Sequence, residues 1–347
     1  MKTKLNSVDV RSWATRAILA GQGGRLSHEL VKVFAVSRMT ATRALQGLVS
    51  DGWLESSGGT RPVYRLGRNR QIIKAYDLPG VDENISWVHD FAPFFDLPKN
   101  ISGIAHHGFT EMLNNANDHS EGKKVGVFMA VRDGRLTIAV IDDGIGIFEK
   151  ISRALSLPDR RLAILELSKG KFSTDPKNHS GQGIFFTSRM FDQFEIEAND
   201  LRYDHDVRGG DDWLLEIARP ETGTSIFMAI QMNSQRTTRE VFDGYASADG
   251  DLGFERTVVP VRLAKIGSEN LVSRSQAKRL VARFEGFRTV LLDFSQVDDI
   301  GQAFADEIFR VFAQAHPDTE LIPVHATTTV QQMINRAVTS PLTMGLR

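Results

Sequence analysis

Residues 101–120, ISGIAHHGFTEMLNNANDHS, set apolar side chains at Phe109, Met112, Leu113 and Ala116 and polar ones at Glu111, Asn114, Asn115 and Asp118. Spacings of three and four residues put each set on its own face of one helix, which buries one side and shows carboxylates and amides on the other. Glu111 and Asn115 are four residues apart and project together. One can polarise a water or hydroxyl while the other offers an amide oxygen to a cation. A solvated helix face has the same pattern, so the flanking sequence must decide. Residues 125–131 (VGVFMAV) and 136–141 (LTIAVI) read as strands around the turn Arg132-Asp133-Gly134-Arg135, and the second strand runs directly into 142–148, DDGIGIF. Asp142, at the strand end, can accept from an exocyclic amine. Gly144 and Gly146 leave room for the backbone to approach a ligand closely.

Farther on, 179–191 (HSGQGIFFTSRMF) place Gly181 and Gly183 before an apolar helical run, where their amides can face phosphates. Strands are predicted near 194–199 and 213–218, followed by one that opens on Gly223-Thr224. In this order the elements resemble the Bergerat-fold (GHKL) ATPases, the superfamily of gyrase B, MutL, sensor histidine kinases and anti-sigma-factor kinases, over roughly residues 100–232. The resemblance implies ATP and Mg2+ as ligands, with Glu111 as general base, Asn115 as magnesium ligand and Asp142 as partner of the adenine amine. Thr224 would be a second adenine contact through water, Gly144, Gly146, Gly181 and Gly183 would form the two glycine boxes, and residues 148–180 would form the ATP lid. No G-x-x-x-x-G-K-[ST] pattern occurs, so phosphate binding would rest on glycine amides, the metal, and Lys171 or Lys177.

A base, a metal and phosphate-holding amides serve hydrolysis and phosphoryl transfer alike. The expectation is a magnesium-dependent ATPase, the alternative a protein-serine kinase of an anti-sigma-factor-like partner-switching system. A histidine-kinase reading is weaker, because His89-Asp90 lacks the proline spacing of a phosphoacceptor box and lies too close to Glu111. His106 and His107 are expected to flank the first helix.

Residues 1–74 hold 13 Lys and Arg against 4 Asp and Glu, and the rest of the chain holds 29 against 39. A basic segment of domain size attracts polyanions, of which nucleic acid is the commonest. Helical spacing at 8–20, glycines at 21, 23 and 24, and a second helix at about 27–34 precede a third helix capped by Ser37. There Met39, Ala44, Leu45 and Leu48 are expected inward, with Arg38, Thr42 and Arg43 outward. Residues 53–67 (WLESSGGTRPVYRLG) read as two extended pieces around a glycine turn, a wing carrying Arg61 and Arg65. The whole resembles bacterial winged helix-turn-helix domains. That implies double-stranded DNA as partner, contacted by Ser37, Arg38, Thr40, Thr42 and Arg43 as well as the wing arginines. A three-helix domain used for protein contacts, or an RNA-binding one, remains the alternative. Residues 75–100 read as an ordered connector.

From about Arg256, extended and helical stretches alternate, which argues for a further α/β unit. The helix from Gln302 should bury Phe304, Ile308, Val311, Phe312 and Ala315, with Asp306-Glu307 on an exposed acidic face. Residues 290–312 (VLLDFSQVDDIGQAFADEIFRVF) resemble STAS-type domains, and more closely the STAS-like family of unknown function found behind such ATPases. Where phosphorylated antagonists carry a hydroxyl, this chain reads Asp298-Asp299-Ile300-Gly301, and Ser295 is expected inside the strand end. Docking of a protein partner, or self-association, is the implied role.

With 347 residues, two or three compact units are expected, and 41% hydrophobic with 24% charged residues is a globular composition. The absence of cysteine excludes disulfides, thiolate-bound zinc and thiol catalysis. No apolar leader or long apolar run is apparent, so a cytosolic chain without membrane contact is expected. The expected fold class is multidomain α/β. It comprises a winged helix at 1–74, a connector at 75–100, a Bergerat-type α/β sandwich at 101–235 with lid 148–180, and a STAS-like α/β domain at 250–347.

Overall fold

The computed structural model describes residues 7–57, 59–172, 181–206, 211–217, 222–246, 253–267 and 269–339. It is a mixed α/β protein of several sheets. Helices α1 (Ser7–Leu19), α2 (Leu26–Val33) and α3 (Arg38–Ser50) precede an antiparallel pair, β1 (Leu54–Ser57) and β2 (Val63–Leu66). Their apolar faces form a separate core around Leu26, Leu30, Ala41, Leu45 and Trp53. Ser37 caps α3, its Oγ accepting from the Thr40 amide at 3.1 Å. The buried stripe of α3 is Ala41, Leu45 and Leu48, and Met39, expected inward, is 73% exposed. Two residues rotate a helix by about 200°, so Met39 must face away once Ala41 faces in.

The next strand does not belong to this unit. β3 (Arg70–Asp77) is the edge of a seven-stranded antiparallel sheet, which moves the boundary expected at residue 74 back to the short turn after β2. The expected connector, beyond its share of β3, holds α4 (Glu83–Ser86) and a π turn, Trp87–Phe91. Trp87 and Phe91 are buried against Phe109, with ring centroids 5.3 and 4.9 Å away. That residue lies on α5 (Lys99–His119), whose buried face is Ile101, Ile104, Ala105, Phe109, Met112, Leu113 and Ala116.

Strands β4 (Lys124–Arg132) and β5 (Arg135–Asp142) form the expected hairpin, with Asp133 and Gly134 both at positive φ as its two-residue turn demands. After α6 (Ile147–Leu155), α7 (Leu162–Lys169) and α8 (Gly183–Met190) come β6 (Gln193–Ala198), β7 (Leu201–Asp206), β8 (Asp211–Glu216) and β9 (Ser225–Gln231). The order is β3-β4-β5-β9-β6-β7-β8. The last strand of the set thus inserts between β5 and β6, where it meets α5, while α8 packs on the neighbouring β6.

A short α9 (Thr238–Asp243) leads to a parallel three-stranded sheet of β10 (Arg256–Pro260), β11 (Thr289–Asp293) and β12 (Glu320–Val324). Around it lie α10 (Arg274–Val281), α11 (Gln302–Asp306), which continues through a π turn (Glu307–Phe312) into α12 (Ala313–Ala315), and α13 (Thr328–Thr339). The π turn adds a residue to the helical repeat, so Ala315, beyond it, faces solvent instead of the core, and Glu307, one helical turn after the buried Phe304, is itself buried beside Lys278. The exposed acidic face expected at Asp306-Glu307 is therefore absent, and Asp306 is held by Arg310 and Arg274. One continuous core runs from the seven-stranded sheet into this unit, with Phe254 packed between Phe185 (4.5 Å) and Phe287 (5.3 Å). Among the described residues, no helix is long and apolar enough to cross a membrane.

Candidate functional site

Between the polar face of α5 and the end of β5 lies a cavity of about 350 Å3. Glu111, Asn114 and Asn115 come from α5, Asp142 from the end of β5, Gly146 from the start of α6, Gly181 and Gly183 from the approach to α8, and Thr224 from the approach to β9. Of the eight residues expected to act here, Gly144 alone does not line the cavity. It supports from below, its amide donating to Asp142 Oδ1 at 2.8 Å. The Thr224 amide donates to the same oxygen at 3.2 Å, and the Thr224 hydroxyl accepts from the Ile147 amide at 3.0 Å.

Asp142 is 8% exposed, and burial raises its pKa despite these amides. A buried carboxylate aimed this way favours a ligand that donates to it. Apolar walls of the same cavity come from Val140, Ile147, Ile151, Leu167, Ile184 and Ile226, and suit a flat ring. Glu111 and the two asparagines add its polar lining. Gly183 closes against Glu111, where a Cβ would stand 2.0 Å from Glu111 Oε2. Gly181 adopts φ +68°, and its carbonyl accepts from the Phe172 amide at 3.2 Å.

Three polar groups of the cavity escaped the sequence reading. His119 and Ser120 continue the Glu111–Asn115 face, and the same four-residue step identifies His119. Lys150 stands one turn into α6 and pairs with Glu121, a contact across 29 residues that no local pattern signals. Lys171, expected to reach phosphate, points elsewhere: its Nζ donates to Gly286 O at 2.6 Å and lies over the Phe287 ring. Of the stretch expected as the lid, the described residues form α6 and the wholly buried α7, which packs against the C-terminal unit, and Lys177 with 173–180 lies outside the described residues.

His89 is exposed on the π turn, and Asp90 is occupied by Lys74 (2.7 Å) and the Tyr76 hydroxyl (2.9 Å). Asp90 therefore ties this turn to β3, and His89 stays at the surface. His107 is half-buried on α5, edge-on to Phe242, and burial, with the like charge of His106 second, lowers its pKa to about 4.

At the other end of the molecule, Ser37, Arg38, Thr40, Thr42, Arg43, Arg61 and Arg65 are all exposed. Ser37 and Thr42 spend their hydroxyls on α3 itself, Thr42 donating to Arg38 O at 3.0 Å. Among the described residues no acid pairs with Arg38, Arg43, Arg61 or Arg65. This unit is fastened to the large sheet, with Arg16 Nη2 donating to Ile73 O (3.3 Å) and Asn69 accepting from the Asp133 amide (3.2 Å).

In the C-terminal unit, β11 ends at Asp293, so Ser295, expected inside the strand, lies in the turn beyond it and donates to Asp293 Oδ1 at 2.7 Å. His325 Nδ1 shares that carboxylate at 2.9 Å. No curated protein matches the chain. Residues 276–331, which run from α10 into the first turn of α13, match the family model described as a STAS-like domain of unknown function (DUF4325), and the C-terminal part of this chain is similar to that family.

Proposed function

We propose that the cavity binds ATP as its magnesium complex, that the protein hydrolyses it, and that nucleotide state gates the conformation or assembly of a DNA-binding regulator. The convergence of residues from separate stretches carries this reading. Glu111, Asn115, Asp142, Gly146, Gly181, Gly183 and Thr224 line one cavity together with apolar side chains that suit a flat ring. The arrangement agrees with the resemblance to Bergerat-fold ATPases. Adenine would lie against the apolar side chains and donate its amine to Asp142. Phosphates would extend toward Glu111 and the amides at 181–183.

Among the described residues no group of acids and histidines could hold a metal by itself. Magnesium fits as a guest of the phosphates with Asn115 as its side-chain ligand, because the ion usually keeps several waters and takes few protein oxygens. When bound, it would neutralise charge on the transferring phosphoryl group. Glu111 would then accept a proton from the attacking water.

DNA is the partner that best suits the N-terminal unit, which we read as a winged helix. Exposed arginines at the start of α3 and on the β1–β2 pair, in a segment of net positive charge, support it. Because this unit is hydrogen-bonded to the large sheet, a change in the ATP-bound sheet could reach it without a flexible tether.

Incubation of the full chain with gamma-labelled ATP and magnesium tests the core of the proposal. Free labelled phosphate is the expected result. Label retained on protein would replace hydrolysis by the kinase alternative. No binding of Mg-ATP in titration calorimetry would end the nucleotide reading.

A further inference from the structure

The C-terminal unit does more than adjoin the cavity. Leu167 and Phe172 are cavity walls, and the chain between them is gripped from outside by residues near α10. Arg283 Nε donates to Glu166 Oε2 at 2.8 Å, Nη2 to Glu166 O at 3.1 Å and Nη1 to Lys171 O at 3.2 Å. Its guanidinium carbon lies 5.3 Å from the centroid of the Phe172 ring. Lys169 has no exposed surface, and its Nζ donates to Glu166 Oε1 (2.6 Å), Arg279 O (2.9 Å) and Ala282 O (3.1 Å). Thr257 donates to Lys169 O at 2.8 Å. Phe172 in turn donates its amide to Gly181 O, and an added Cβ at Gly181 would meet Phe172 backbone at 2.3 Å. A chain of direct contacts therefore runs from Arg283 through Phe172 to Gly181 and the cavity.

We propose that Arg283 is a positioning residue for the nucleotide cavity, through which the C-terminal unit sets the wall formed by Leu167, Phe172 and Gly181. The proposal rests on the nucleotide reading above. Three hydrogen bonds from one planar fork, two of them to main-chain carbonyls, fix the path of residues 166–171. Glu166 is the shared anion, bonded by both Lys169 and Arg283, so the carboxylate that anchors this stretch to the cavity wall is held from two sides by the C-terminal unit and by its own helix. Coupling of this kind is reciprocal. If nucleotide tightens the Phe172–Gly181 wall, it also tightens residues 279–286, and whatever binds the C-terminal unit there alters nucleotide affinity by the same factor.

Arg283→Lys in the full chain tests this, since lysine keeps the charge but loses the fork and its contact with the Phe172 ring. Binding of Mg-ATP, turnover, thermal midpoint and amide exchange with and without nucleotide would be followed. Expected is affinity weakened by roughly tenfold or more, with turnover at saturation within about threefold of the parent, as for a change in binding alone. In the parent, Mg-ATP should slow exchange at 279–286, outside the cavity, and in the variant that protection should be lost. Parent-like affinity together with parent-like protection in the variant would overturn the proposal. Asp142→Asn measured beside it separates the two readings. If Asp142→Asn loses binding while Arg283→Lys does not, the cavity is a nucleotide site that Arg283 does not position. If the parent binds no Mg-ATP, both readings fall. Should Arg283→Lys not fold, Arg283→Gln, which keeps a planar amide donor toward the carbonyls of Glu166 and Lys171 but not the fork, is measured with the same readouts, and they decide in the same way.

Discussion

A Cβ added at Gly183 would stand 2.0 Å from Oε2 of Glu111, so the start of α8 and the carboxylate on α5 share one space. Oε2 is the far end of a flexible side chain, and Gly183→Ala should therefore fold while displacing the carboxylate from its position. Turnover should fall with the thermal midpoint nearly unchanged. Gly181→Ala is a different case, because φ is +68° and the clash is with Phe172 backbone. It should destabilise the fold by at least the roughly 1–2 kcal/mol of a forced left-handed residue. Thermal melts of the two variants side by side would check the contrast, and equal midpoints would contradict it.

Glu111→Gln keeps the shape of the side chain but cannot take a proton. Mg-ATP should still bind, and phosphate release should drop by roughly 10²- to 10⁴-fold, as when a general base is lost. The variant should then accumulate in the ATP-bound state. Phosphate release at the parent rate would return Glu111 to the status of an ordinary polar helix residue.

Asp142→Asn should weaken Mg-ATP binding strongly, because an amide group would be set against the adenine amine. It should not harm the fold. Asparagine can still accept from the Gly144 and Thr224 amides, and burial raises the pKa of Asp142, so its charged form costs stability at neutral pH. A group with a raised folded pKa contributes stability at low pH that is lost as pH rises, and Asn removes that dependence. The nucleotide-free variant should melt at or above the parent midpoint at neutral pH, and a marked drop would contradict the account.

His107 predicts acid sensitivity. Its pKa falls from about 6.5 to about 4 on folding, so between these values the unfolded chain takes up a proton that the folded one refuses. Stability is fullest above pH 6.5 and declines toward pH 4 by up to about 3 kcal/mol at 1.36 kcal/mol per unit. His107→Phe should flatten urea-unfolding free energies across that window. An unchanged slope would assign the acid sensitivity to other groups.

For the N-terminal unit, Arg38→Ala and Arg43→Ala should each reduce duplex affinity. Where the lost contact was to phosphate, the salt dependence should shrink by about one unit of slope. An arginine that reads a base would instead relax sequence preference. Titrations at several salt concentrations check this, and a full chain without duplex affinity at low salt would make the unit a protein-contact module.

Local chemistry was legible in the residues alone wherever one helix turn or one strand end contained it. Spacing along 101–120 announced α5 and its polar face, Asp133-Gly134 announced the β4–β5 turn, and Ser37 announced the start of α3. Each depends on neighbours within about four residues, for which backbone geometry leaves few options. Alternation after Arg256 likewise revealed an α/β unit, whose strands the structure pairs in parallel. Other features were decided only by tertiary packing. β3 joined the large sheet because its main chain pairs with β4, not because its composition differs from the β1–β2 pair before it. Within the stretch read as the ATP lid, Lys171 was expected to reach phosphate, yet its Nζ donates to Gly286 O, and Glu166 and Lys169 find their partners at Arg283, Arg279 and Ala282, all more than a hundred residues away. A lysine that neutralises a buried glutamate and one that reaches for phosphate carry the same side chain. Which it is depends on what the fold places within 3 Å of the nitrogen, and no local spacing contains that distance.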